Sequence, residues 1–267
     1  MNILKRELSA GLKPFLFWTL GLFFLVFAGL TKFTGVDTAA GGVNLYDLLN
    51  KFPRVVLAVM GIVGIDINTL GGYYSILAYY ALICAVIYAV YLGTNAVSRE
   101  AVDKTYEFVF TKPRSRSYIL QMKFLAVWIY IAMFCILNYV FSVAAIAVLG
   151  FSGNLNFQIF LFSIAVFLVS SMFFSLSAFI SAAAKQSERG ALYGNLCFLF
   201  AFIMGIVYDM LENGGILKFI SPLKYFSPAD LLNKEIDPLF AAICVVLTAV
   251  FLWGAFARFN KKDLTAK

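Results

Sequence analysis

The sequence predicts an all-α polytopic membrane protein: six transmembrane helices, a cytoplasmic amphipathic helix between helices 2 and 3, and short broken outer helices before helix 6. Composition is the first observation behind that expectation. The chain is 62% hydrophobic and 13% charged, with a mean hydropathy of +0.89, whereas a soluble domain carries about a quarter charged residues. Length is the second. A helix needs roughly 20 apolar residues to cover about 30 Å of hydrocarbon, and six charge-poor runs meet that need, at about 14–30, 73–93, 119–149, 157–184, 191–208 and 238–257 of one transmembrane domain spanning 1–267. The third is charge asymmetry. With both termini inside, the inner segments hold Lys5, Arg6, Lys13, Arg99, Lys104, Lys112, Arg114, Arg116, Lys123, Lys185, Arg189, Arg258, Lys261, Lys262 and Lys267. The outer ones hold only Lys32, Lys51, Arg54, Lys218, Lys224 and Lys234, and the positive-inside rule selects this orientation over its inverse.

Lys5, Arg6 and Lys13 lead into the first run without a convincing small-x-small cleavage site, so it reads as a retained span rather than a signal peptide. The segment 31–72 contains Lys51-Phe52-Pro53-Arg54 and then an apolar stretch to Ile67 that is too short to cross; it reads as a helix in the outer interface or over the outer mouth. The second span offers Tyr79, Tyr80, Tyr88, Tyr91 and Asn95, the third Asn138 and Ser142, and the fifth Tyr193 and Asn195. Tyr80, Tyr88, Asn95, Tyr193 and Asn195 are candidates to face a substrate route, against the plainer reading of interfacial or packing side chains. Ser163, Ser170 and Ser177 recur every seven residues in the fourth span, a stripe that lets helices approach closely. Residues 209–237 combine Pro222, Pro228, Gly214 and Gly215 with many apolar side chains, which suits a partly embedded hairpin of short helices. Asp66 and Asp209 sit at span edges and are expected at the outer surface.

The densest charge between two spans lies in 98–116. Read as a helix, Val102, Tyr106, Val109 and Phe110 share one face, while Glu100, Asp103, Lys104 and Glu107 share the other. Pro113 ends it, and Ser115 or Ser117 is placed to cap the next helix. An element of this kind, held at the membrane surface, can dock another protein.

Several chemistries are excluded. Histidine is absent, which removes serine–histidine catalysis and the histidine metal motifs. Cys84, Cys135, Cys197 and Cys244 fall inside spans without paired spacing and read as packing residues. No lysine lies deep enough in a span to serve a serine–lysine dyad, and no two acids share one depth. No metal site is expected. The net charge of +7 describes orientation rather than nucleic-acid binding. No Gly-Lys dipeptide occurs, so the chain holds no Walker A loop.

Ser98-Arg99-Glu100, Thr105, Glu107, Pro113, Ser115-Arg116, Ile119-Leu120 and Lys123 resemble the cytoplasmic loop signature of ABC-2-type permeases, the membrane subunits of one class of ATP-binding cassette exporter. Lys104 departs from the pattern, standing where the family usually has glycine, and suggests a more continuous helix. The resemblance implies a non-catalytic permease subunit in the cytoplasmic membrane of a prokaryote. It would pair with a second permease copy, as a homodimer in the simplest case, and with separate ATPase subunits that bind ATP and magnesium. It also implies a coupling role for Arg99, Glu100, Asp103, Lys104, Thr105, Glu107 and Arg116. An intramembrane enzyme and a secondary transporter remain as alternatives; neither needs a docking helix at this position, and a secondary transporter would carry buried coupling charges or repeated halves.

Overall fold

The computed structural model describes residues 3–38, 51–103, 115–186, 189–211 and 215–261. These residues fold as helices α1 (Ile3–Thr38), α2 (Arg54–Met60), α3 (Leu70–Val102), α4 (Arg116–Val148), α5 (Asn156–Ala183), α6 (Arg189–Met210), α7 (Gly215–Ile220), α8 (Pro228–Leu232) and α9 (Pro238–Lys261), with a 3-10 turn at Pro222–Lys224. Six of them, α1, α3, α4, α5, α6 and α9, are long and apolar enough to cross a membrane. Each of the six meets its backbone N–H and C=O groups within its own helix, as hydrocarbon requires, because lipid offers them no partner.

The helices run past the apolar stretches that define them. α1 begins at Ile3 and continues through Pro14, and Tyr130 of α4 donates its hydroxyl to the Leu8 carbonyl in that early part. α3 continues past Gly93 as far as Val102. The start of the charged segment is therefore the last turn of a transmembrane helix. The amphipathic helix expected across 102–110, together with Pro113, falls largely on residues 104–114, outside the described residues.

Packing places α5 at the centre. Within its most apolar 18 residues 72% are buried, against 22% for α6 and for α9, and α5 contacts α3, α4, α6 and α9. α1 lies against α4 and α3. Ser163, Ser170 and Ser177 are all buried on α5, so the stripe of small side chains does face neighbouring helices. Its closest approach is at Gly93 of α3. A Cβ there would stand 2.1 Å from Ser177 Oγ and 2.4 Å from the Phe174 carbonyl oxygen. The second partner is backbone and cannot rotate away, so only glycine permits this crossing. α4 joins both helices through polar contacts: Tyr74 of α3 donates to Ser142 Oγ of α4 at 3.0 Å, and Asn138 Nδ2 of α4 donates to Ser163 Oγ of α5 at 3.3 Å. These polar contacts fix register between helices whose remaining contacts are apolar.

Caps define the ends. The Thr69 hydroxyl accepts from the Gly72 N–H at 3.1 Å and opens α3; Ser115 accepts from the Tyr118 N–H at 3.3 Å and opens α4. α2 stops at Gly61, whose φ of 71° lies in the left-handed region and whose missing side chain leaves room for the Tyr79 ring, 2.5 Å from where a Cβ would be. The 209–237 segment folds as α7, the 3-10 turn and α8, the short broken helices its prolines imply. Ser117 Oγ of α4 donates to Asn260 Oδ1 of α9 at 3.1 Å, Glu100 of α3 pairs with Lys123 of α4, Gly254 of α9 packs on Phe179 of α5 and Gly190 of α6 on Ser181 of α5, so the starts of α4 and α6 and the ends of α3, α5 and α9 share one face. That basic face also carries Arg99, Arg116, Lys185, Arg189, Arg258 and Lys261. α2, α7, the 3-10 turn and α8 cover the opposite face.

Replacing Gly93 by alanine is expected to destabilise the bundle by about 1–3 kcal/mol through overpacking. Gly21→Ala, where a Cβ meets nothing within 4 Å, should be neutral or slightly stabilising because alanine favours the helix. Thermal unfolding of both variants in one detergent tests this; equal midpoints would mean that the α3–α5 crossing tolerates a methyl group.

Candidate functional site

The junction between α3 and α4 brings charges together on the basic face. Glu100, in the last turn of α3, is 6% exposed, and Lys123, in the second turn of α4, is 4% exposed. Their side chains form a buried ion pair, and Lys123 Nζ also donates to the Ala96 carbonyl at 3.1 Å. One lysine thus ties two turns of α3 to α4. A charge removed from water is retained only when paired and hydrogen-bonded, and Lys123 has both an anion and a carbonyl.

Glu100 therefore does not sit on a solvated face with Asp103, as helical spacing alone suggests. It turns into the bundle toward Lys123, and Val102, assigned by spacing to the apolar anchoring face, is exposed. Arg99 and Asp103 are exposed and pair across one turn at 3.6 Å, and the Asp103 N–H closes the helix on the Arg99 carbonyl at 2.8 Å. Arg116 is the exposed first residue of α4. Lys104, Thr105 and Glu107 lie outside the described residues. Arg99, Asp103 and Lys123 also border a crevice of about 470 Å³ between α1, α3 and α4, with Glu7, Lys13 and Asn95 as further polar lining.

The candidate route residues do not converge. Tyr80 donates to the Met60 carbonyl at 3.0 Å, at the end of α2 on the opposite face. Tyr88 is buried in an aromatic cluster, its ring 5.6 Å from Trp18, 5.8 Å from Phe134 and 6.5 Å from Tyr91. Asn95 folds back to the Tyr91 carbonyl at 2.9 Å while lining the basic-face crevice. Tyr193 and Asn195 are exposed on the outer surface of α6.

A second charged cluster, not foreseen from the sequence, lies under the opposite face. Asp209, near the end of α6, pairs with Lys224 of the 3-10 turn at 2.5 Å, and Arg54 Nε donates to the Asp209 carbonyl at 3.1 Å. Both members of the pair are largely buried, so Asp209 is not the surface acid its position at a span edge suggests. Lys224 Nζ also stands 4.3 Å from the centre of the Tyr79 ring. Next to it, burial pushes the Tyr225 phenol up to about 12, so it stays a donor, holding the Phe219 carbonyl at 2.8 Å. Together these contacts pin the cover segments to α3 and α6. The sequence holds Asp209, Glu212, Lys218 and Lys224 in this stretch, and nothing in helical spacing selects Asp209 and Lys224, 15 residues apart, as the pair.

Lys123→Met strands the Glu100 carboxylate and is expected to cost about 3–5 kcal/mol, whereas Lys123→Met combined with Glu100→Met should recover most of that loss by replacing the pair with apolar contacts. Thermal melts of the two variants beside the unaltered protein decide it; a double variant no better than the single would show that packing around Lys123, and not the charge pair, holds the junction.

In comparison with known families, a family model described as ABC-2 family transporter protein matches residues 1–264. No curated protein matches the chain closely enough to be named as a relative. The match extends over all six apolar helices, both clusters and the cover. With six helices fit to cross a bilayer and a family match over almost its whole length, this multi-pass membrane protein belongs to the ABC-2 transporter family.

Proposed function

We propose that the chain is the permease subunit of an ATP-driven exporter, coupled on its basic face to a separate ATPase. Family membership supports a membrane transport subunit, and ABC-2 permeases generally work with an ATPase subunit. The observation that carries the coupling half of the reading is the buried Glu100–Lys123 pair with its hydrogen bond to the Ala96 carbonyl. It clamps together the two ends of the 104–114 segment. A push on that segment reaches α3 and α4 jointly instead of fraying either helix end, and α3 in turn lies along α5, the central helix. In this reading Arg99, Asp103, Lys104, Thr105, Glu107 and Arg116 present polar groups to the ATPase, while Glu100 acts inside the bundle as the anchor of the junction.

The charge asymmetry supports an arrangement with the basic face in the cytoplasm and the cover outside. A second permease copy, as the family resemblance implies, completes the assembly; the apolar faces of α1, α6 and α9, with Leu16, Phe17, Leu199, Phe200 and Trp253, suit either a partner helix or lipid. Lipid covers the remainder.

Purification from the native membrane in mild detergent is expected to retain a Walker-type ATPase in equimolar ratio, with vanadate-sensitive ATP hydrolysis. Reversing the charge of Asp103 and Glu107 together should weaken retention of the ATPase by about tenfold, as loss of interfacial ion pairs does, with the membrane domain still folded. Native mass measurement reads the stoichiometry. A complex with no nucleotide-hydrolysing chain, at normal permease abundance, would overturn the ATP-driven reading.

A further inference from the structure

Beneath the cover on the opposite face is a cavity of about 210 Å³, enclosed by α3, α5, the end of α6, the loop after α2 and the segment from Leu223 to Leu231. Most of its wall is apolar, from Ala78, Phe162, Ala165, Val166, Leu223 and Leu231. Its polar groups gather around Tyr79 and Lys224. Tyr79 is 7% exposed, and its hydroxyl has no hydrogen-bond partner. Lys224 has three N–H donors, of which one is taken by Asp209 and a second direction is turned to the face of the Tyr79 ring. Asp209 also lines the cavity, but its carboxylate is held by Lys224, so the donors left for a ligand are the Tyr79 hydroxyl and the remaining Lys224 N–H.

We propose that this cavity is a binding site for a small neutral amphipath, an aryl or branched-alkyl body bearing a carbonyl or similar hydrogen-bond acceptor. Size sets the body: a dry apolar cavity of roughly 150 Å³ accommodates benzene, so this one holds a ring and a short polar head. The unpartnered Tyr79 hydroxyl and the ammonium of Lys224 set the head, which must accept hydrogen bonds. Charge decides between a neutral and an anionic head. The Lys224 ammonium is already balanced by Asp209 at 2.5 Å, so a carboxylate would enter as an uncompensated anion in an apolar chamber, a cost a carbonyl avoids. A cation would meet the Lys224 ammonium, which already neutralises the Asp209 carboxylate. A few well-placed polar groups in a mainly apolar concavity are the ordinary makeup of a small-molecule site. The site stands on the cavity alone and is independent of whether an ATPase drives the protein.

The experiment uses the full chain in lipid nanodiscs with 4′-fluoroacetophenone as probe, its saturable binding followed by fluorine NMR against empty discs. Saturable binding is expected, displaced by acetophenone at least tenfold better than by benzoate or ethylbenzene. Tyr79→Phe, which removes only the unpartnered hydroxyl, should weaken the probe by about two- to tenfold, the range of one neutral hydrogen bond. Ala165→Phe, which fills the chamber, should abolish the saturable component; Ala78→Phe does the same from α3, so that a fault in folding at one position leaves the other to decide. A melting midpoint close to that of the unaltered protein qualifies each variant. Binding equal to that of empty discs, binding unaffected by both filling substitutions, or preference for benzoate or ethylbenzene over acetophenone would each overturn the proposal.

Discussion

The crossing of α3 over α5 is the contact on which the remaining architecture depends. In hydrocarbon, burying one apolar helix face against another has little solvent-driven advantage, because lipid chains are as apolar as leucine; close packing and interhelical hydrogen bonds must hold the helices together. Gly93 and Ser177 meet that requirement by letting backbones approach until a methyl group no longer fits. Once α5 is held there, α4, α6 and α9 dock around it, and α1 lies outside against α3 and α4. Buried serines along α5 are consistent with that role, since their small side chains keep the crossing tight at several levels.

At each end of this packed centre stands one buried ion pair with a distinct job. Lys123 and Glu100 secure the junction of two long helices on the basic face; Lys224 and Asp209 secure irregular cover segments to α6 on the other. Both pairs gather extra hydrogen bonds or ring contacts, which is how a membrane protein retains charge away from water. The consequence is a bundle whose apolar middle is bounded by two specific electrostatic fastenings. Motion imposed on one face meets a defined attachment and not a frayed terminus.

Helix number and type were legible in the sequence because hydropathy over 20 residues is a strong signal and hydrocarbon leaves the backbone no alternative. The broken cover was legible too, since Pro222 and Pro228 forbid a continuous helix there. Pro113 leaves Ser115 or Ser117 to cap the next helix, and the structure gives the role to Ser115, whose hydroxyl accepts from the Tyr118 N–H. What failed was the facing of single charges. Helical periodicity groups Glu100 with Asp103, but it carries no knowledge of Lys123 on the neighbouring helix, which draws Glu100 inward and leaves Asp103 outside. Asp209 departs from expectation for the same reason: its partner Lys224 stands 15 residues along the chain, beyond the reach of helical spacing. Polarity within spans selects the five candidate route residues, and polarity does not distinguish Tyr88 in an aromatic cluster from Tyr193 on an exposed surface.

The Glu100–Lys123 pair also constrains how this lineage can change. Either residue alone is a liability, so a drifting sequence that loses one passes through a form with a stranded buried charge, and selection removes that form before the second change arrives. The two positions are therefore inherited as a unit: descendants should carry an acid with a base, or two uncharged side chains, and mixed combinations should be rare. Arg99 and Asp103, side by side in the same turn but open to water, carry no such bond. For folding, an exposed pair along one helix leaves its two partners separable, while a buried pair between two helices does not.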